Sequence, residues 1–239
     1  MDLLCVPSHV RSGHTANGGT VVLDIRSGCW YSFNDAAQTL WEELCRTGDF
    51  DLAVRGMQEG CSTDLRQRIK DDAHGLLADL LDRGLVVKTS KVRPNPTGSS
   101  QPTPRSVSAE DLAGRARHRG ARTAFVVALV LTMLPFRWAL WFVDTGKRRW
   151  CRADATEADL ARAVVATERA ARRYPGRAAC LELSLAAVVA ACFARRRVDW
   201  VIGVADDPYR FHAWAEVKGV AVLNAPDPEF SDYRCVLKR

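Results

Sequence analysis

Cys180 follows the helix-breaking pair Pro175-Gly176, His212 comes thirty-two residues later in Phe211-His212-Ala213-Trp214, and Asn224 stands twelve residues beyond that. A thiol, an imidazole and a carboxamide in this chain order are the parts of a nucleophilic site. Such chemistry needs a sulfur anion near neutral pH, a ring that takes and returns its proton, and a third group that holds the ring. Past residue 120 the chain has no histidine other than His212, so this thiol has one imidazole available to it.

The elements that must position these groups can be read from the pattern. The run from Ala178 to Ala194 is almost wholly apolar, with Glu182 and Ser184 as the main interruptions, which predicts a buried helix with Cys180 in its first turn. There the unpaired amide hydrogens and the positive end of the helix dipole favour negative charge on sulfur. Trp200 to Ala205, Phe211 to Val217 and Val220 to Leu223 read as strands of an antiparallel meander, separated by Asp206-Asp207-Pro208 and Lys218-Gly219. A helix carrying Cys against strands carrying His and Asn is a transglutaminase-like or papain-like arrangement. The competing reading makes Cys180 a packing residue, as Cys192 in the same helix is expected to be.

Charge divides the chain. Residues 1–90 hold nine Lys or Arg against thirteen Asp or Glu, and the remainder holds twenty-five against fifteen. Between them, Lys91 to Ser108 contains Pro94, Pro96, Pro102 and Pro104 among small polar residues and reads as a linker. The expected organisation is therefore a domain over 1–90, a linker over 91–108 and a second domain over 109–239.

In the first domain, Thr20 to Asp24 and Cys29 to Phe33 are strand-like around an Arg26-Ser27-Gly28 turn. Asn34 or Asp35 caps a helix with Ala37, Leu40, Trp41 and Leu44 on one face. Helices over Asp51–Gln58 and Thr63–Asp82 follow, the latter burying Leu65, Ile69, Leu76, Leu77, Leu80 and Leu81, before a closing strand at Leu85 to Lys88. The order describes a winged helix-turn-helix. Nucleic acid is not the expected partner, because this half is acidic and Asp71, Asp72, Asp79 and Asp82 line the helix that would enter a groove. Accepting a peptide as an added strand is the other use of such a domain.

The eight cysteines show no Cys-x-x-Cys pair and no histidine at ligand spacing, so no metal site is expected. The amino terminus lacks a basic region followed by a long apolar stretch, which implies a cytoplasmic chain with reduced thiols. Ala124 to Val143 is apolar enough to suggest a membrane span, but Pro135 and Arg137 sit at its middle. Two helices broken at Pro135 are expected instead, with peripheral membrane contact as a further role for them.

Two sets of residues resemble known families. Gly19-Thr20-Val21-Val22-Leu23-Asp24, Gly28-Cys29-Trp30-Tyr31-Ser32-Phe33-Asn34 and Ala37-x-x-Leu40-Trp41 are similar to the PqqD-like element that binds leader peptides of ribosomally made, modified natural products. Cys180-Leu181-x-x-Ser184-Leu185, Val201-Ile202-Gly203-Val204, Pro208 and His212-Ala213-Trp214-Ala215-Glu216-Val217-x-Gly219 resemble the lasso-peptide leader peptidases. The resemblance implies an α+β chain: a PqqD-like winged helix fused to a transglutaminase-like or papain-like cysteine protease. It further implies Cys180 as nucleophile, His212 as base and acid, and Cys29, Trp30, Tyr31, Ser32, Phe33 and Asp72 as leader-binding residues. No cofactor is implied. The implied partners are a precursor peptide and an asparagine-synthetase-like cyclase. In that family an Asp stands where this chain has Asn224, so Asp227 is an alternative third member. Glu216 shares the side of His212 on its strand and reads better as a surface residue. Transfer of an acyl group to an amine, and noncatalytic leader binding, remain the alternative activities.

Overall fold

A computed structural model describes residues 3–15, 18–89, 105–113, 120–205, 209–225 and 227–239. By its internal contacts the chain divides into two compact units: Met1–Ile25 with Cys29–Ser99, and Arg26–Gly28 with Ser100–Arg239.

In the amino-terminal unit the strands are β1 (Leu3–Cys5), β2 (Val10–His14), β3 (Thr20–Asp24), β4 (Trp30–Phe33) and β5 (Val87–Thr89), and the helices are α1 (Asp35–Thr47), α2 (Phe50–Gln58) and α3 (Thr63–Asp82). β2, β3 and β4 form one antiparallel sheet in that order, and β1 pairs with β5. Asn34 caps α1 by accepting from the Ala37 amide at 2.9 Å, and Gly48 ends it in the left-handed region at φ 69°. Leu40, Trp41 and Leu44 join Val10, Val22, Leu80, Leu85 and Val86 in one core. β1 and β2 carry little periodic signal in the sequence, β1 because it has three residues and β2 because its five include Ser and Gly. Leu65 corrects the expected face of α3. It is exposed, since the fully buried positions of that helix begin only at Ala73.

In the carboxy-terminal unit the chain continues through β6 (Arg105–Ser108), α4 (Ala109–Ala113), α5 (Ala121–Met133), α6 (Phe136–Arg149), β7 (Ala153–Asp154), α7 (Glu157–Ala171), α8 (Cys180–Phe193) and β8 (Arg196–Arg197). It closes with β9 (Asp199–Ala205), β10 (Arg210–Val217), β11 (Val220–Leu223), a 3-10 turn at Phe230–Asp232 and β12 (Arg234–Lys238). A five-stranded sheet runs in the order β12-β9-β10-β11-β6 and contains the expected meander. Residues 91–104 of the expected linker lie outside the described residues. Residues 105–108, also read as linker, instead form β6, which pairs in parallel with β11. Polar Arg105 and Ser106 hid a strand whose stability comes from its neighbour.

Pro135 does separate two helices, α5 and α6, and among the described residues no helix is long and apolar enough to cross a membrane. α8 is buried on every side from Ser184 to Cys192, packed on α5, α7 and β10. A helix without a polar face needs partners all round, which is why its sequence is apolar throughout. This packing fixes the position of its first residue, Cys180, over the sheet.

Candidate active site

Cys180 is the first residue of α8. Its preceding residue, Ala179, has no side-chain oxygen to cap the helix, so the opening amides of α8 make no side-chain cap bond. Glu182 accepts from the Ala179 amide at 3.0 Å and holds the entry of the chain. His212 projects from β10, and Asn224 follows β11 directly. These three residues line one cavity of about 230 Å³, together with Thr167, Ser184 and Trp214.

His212 is held among aromatic rings. Its imidazole stacks on Trp214 at 6.1 Å and 18°, with Tyr233 at 5.3 Å and Phe230 at 6.2 Å. Burial keeps its pKa below the ordinary 6.5, while the negative charge of Asp227 acts in the opposite direction. The ring is therefore neutral at pH 7 and can accept a proton. Burial also raises the Tyr233 phenol; Arg210 opposes this, and negative charge at Asp227, Cys180 and Glu229 adds to it. Tyr233, Phe230 and Trp214 were missed as site residues. Trp214 could have been found, since 212 and 214 share one face of a strand.

The two candidates for the third position behave differently. The Asn224 side-chain oxygen is buried on the cavity wall and accepts no hydrogen bond from the described residues. Asp227 accepts from the Glu229 amide at 2.9 Å and reaches His212 through its charge. One offers a short-range acceptor, the other a field.

Glu216 is not a surface residue: it is 4% exposed. Trp214 Nε1 donates to Glu216 Oε2 at 3.1 Å, and Lys238 Nζ donates to Glu216 Oε1 at 2.6 Å. Lys238 also pairs with Asp199 at 3.1 Å, and Asp199 with Lys147 at 2.6 Å. Burial works against charge on Asp199, yet Lys147 and Lys238 together hold its carboxyl below the ordinary carboxylate value. Glu216 therefore fixes the indole on which His212 stacks. Its burial was not legible because its countercharge lies 22 residues away on β12. On the other side of the indole, a Cβ at Gly203 would meet Trp214 Cη2 at 2.6 Å and the Arg234 carbonyl at 2.6 Å. A glycine is needed there for the tryptophan to lie against the sheet.

The residues expected to bind a leader lie on or beside β4, apart from Asp72, which is exposed on α3. Cys29 is exposed and precedes the strand. β4 is the last strand of its sheet, pairing with β3 alone among the described strands. The Asp24 amide donates to the Cys29 carbonyl at 3.0 Å, which makes Asp24 and Cys29 a hydrogen-bonded pair. By antiparallel alternation Val22–Tyr31 and Thr20–Phe33 are hydrogen-bonded pairs too, whereas Val21–Ser32 is not. The Ser32 N–H and C=O therefore point to the outer edge. Phe33 packs edge-on to Trp41 at 5.3 Å, and the Arg83 guanidinium lies 5.5 Å from the Tyr31 ring centre.

Among the described residues no group of three His, Cys, Asp or Glu could hold a metal ion. No curated protein and no solved structure matches the chain significantly. Residues 19–86 match the family model of coenzyme PQQ synthesis protein D (PqqD), and residues 123–236 match that of the transglutaminase-like superfamily. The chain thus joins an amino-terminal PqqD domain to a carboxy-terminal transglutaminase-like domain.

Proposed function

We propose that this protein is a leader peptidase of lasso-peptide biosynthesis. The observation that carries the reading is the shared cavity of Cys180, His212 and Asn224 in a chain whose PqqD domain has β4 as the last strand of its sheet among the described strands. The leader of a ribosomal precursor adds to β4 as a further strand. Covalent fusion then holds the leader–core junction near Cys180 at an effective concentration on the order of millimolar, so weak contacts at the cavity suffice.

In the chemical step His212 takes the Cys180 proton as the sulfur attacks the scissile carbonyl carbon. The opening amides of α8, beginning with that of Cys180, are the oxyanion donors. His212 returns the proton to the leaving amine, the amino terminus of the core. A water, deprotonated by the same ring, then cleaves the thioester and releases the leader as a carboxylic acid. Asn224 accepts the second imidazole N–H or, failing that, Asp227 stabilises the imidazolium by charge. The freed core amine is the substrate of a separate asparagine-synthetase-like cyclase.

The test is to incubate the full chain with the precursor peptide encoded beside its gene and follow intact mass. Leader plus core with one added water, abolished in Cys180→Ala, supports hydrolysis. A product carrying an added amine makes the protein an acyltransferase. Binding without cleavage, with the cyclase present, leaves a leader-binding scaffold.

A further inference from the structure

α5 and α6 form a helical hairpin about Leu134-Pro135. One side is packed, with Ala124, Phe125, Ala128 and Leu131 buried on α5 and Ala139, Leu140 and Val143 buried on α6. The opposite side of a surface helix ordinarily carries charge. Here it carries Val126, Val130, Met133, Leu134, Trp138 and Trp141, all exposed, Met133 at 79%, Trp141 at 58% and Val126 at 57%. Contiguous apolar surface of this kind marks a place where something binds.

The exposed charged residues of these two helices are all cationic. Arg122, Arg137 and Arg148 are exposed on these two helices, and none forms an ion pair with a described residue. Arg137 lies 6.0 Å from the Trp138 ring centre. Asp144, the only acid in either helix, pairs with Arg239 at 3.7 Å. The most exposed of these apolar residues, Met133, ends α5 beside the turn between the two helices. Trp138 and Trp141 follow on α6, with Arg137 beside Trp138, and Arg122 and Arg148 lie near the outer ends of the two helices. Apolar, aromatic and cationic side chains together on one exposed surface are the composition of an interfacial helix.

We propose that this hairpin docks the chain on an anionic lipid surface. Met133 and Leu134 enter the acyl boundary, Trp138 and Trp141 lie at headgroup level, and Arg122, Arg137 and Arg148 face lipid phosphates. Neither helix is long enough to cross, so the hairpin lies in the interface. The proposal does not rest on the peptidase reading, since it concerns a different surface and a different assay.

The full chain is sedimented with vesicles of phosphatidylcholine, with and without phosphatidylglycerol, while tryptophan emission is recorded. Binding to the anionic vesicles alone, with a blue shift and loss at high salt, is expected. Replacing one arginine by glutamine should weaken partitioning about fivefold. Trp138→Ser with Trp141→Ser, or Met133→Glu at the most exposed position if that pair fails to fold, should weaken it at least as much, with leader binding unchanged. No binding to either vesicle, equal binding to both, or wild-type binding by a folded patch variant overturns the proposal. So does a dimer that Trp141→Ser dissociates, because the patch would then be a protein interface.

Discussion

Proline at Ser32 removes a hydrogen-bond donor from the outer edge of β4 while leaving the inner ladder whole. The inner bonds of this strand belong to Tyr31 and Phe33, opposite Val22 and Thr20, and Ser32 lies opposite Val21 in a pair that makes none. Proline is tolerated on an edge strand where its nitrogen faces outward, so the domain should fold. An added leader strand would lose one ladder bond, about 0.5–1.5 kcal/mol. The pyrrolidine ring also obstructs the adjoining bond, for a total of about 1–3 kcal/mol, or about 5- to 150-fold in Kd. Tyr31→Pro should behave differently. It breaks an inner bond and orphans the Val22 carbonyl, costing on the order of 2–3 kcal/mol of domain stability as well as binding. Fluorescence anisotropy of a labelled leader peptide measures Kd, thermal unfolding measures stability, and hydrolysis of a short untethered junction peptide measures the cavity alone. Ser32→Pro should raise Kd, leave the melting temperature near wild type and leave untethered hydrolysis intact. Wild-type Kd in Ser32→Pro would refute strand addition at β4. Equal loss of leader binding and untethered hydrolysis would refute the division of labour between the domains.

Three further outcomes are expected. The pKa of His212 is depressed by burial, so its neutral form contributes stability that is present above the unfolded value of 6.5 and is lost as pH falls through the lower folded value. The acid limb of kcat/KM should accordingly lie below 6.5, and Asp227→Asn should move it lower still; an upward move contradicts the assigned field. Glu216→Ala leaves the buried Trp214 N–H without an acceptor and Lys238 with Asp199 alone, which together cost about 2–4 kcal/mol. A melting temperature unchanged from wild type would contradict that network. Gly203→Ala drives a methyl into the Trp214 ring and the Arg234 carbonyl, an overpacking cost of about 1–3 kcal/mol, and should lower kcat as the stack on His212 is displaced; full activity with wild-type stability would show that the indole does not position the imidazole.

What the sequence determined by itself is local. The apolar run after Pro175-Gly176 defined α8 and placed Cys180 in its first turn; Pro135 divided α5 from α6; Asn34 set the start of α1; and short β-rich runs bounded by turn residues gave β9, β10 and β11. Each of these follows from near neighbours through periodicity, capping or a fixed φ, so a linear reading suffices. What tertiary structure decided depends on groups far apart in the chain. β6 is a strand only because β11 supplies its hydrogen bonds, about 115 residues away. Glu216 is buried only because Lys238 and the Trp214 indole meet it there. The aromatic setting of His212 joins β10 to the 3-10 turn and Tyr233, and no spacing rule ties those positions together. The outward direction of Ser32 likewise awaited the ladder parity, because a strand's hydrogen-bonding edge is set by its partner rather than by its own residues.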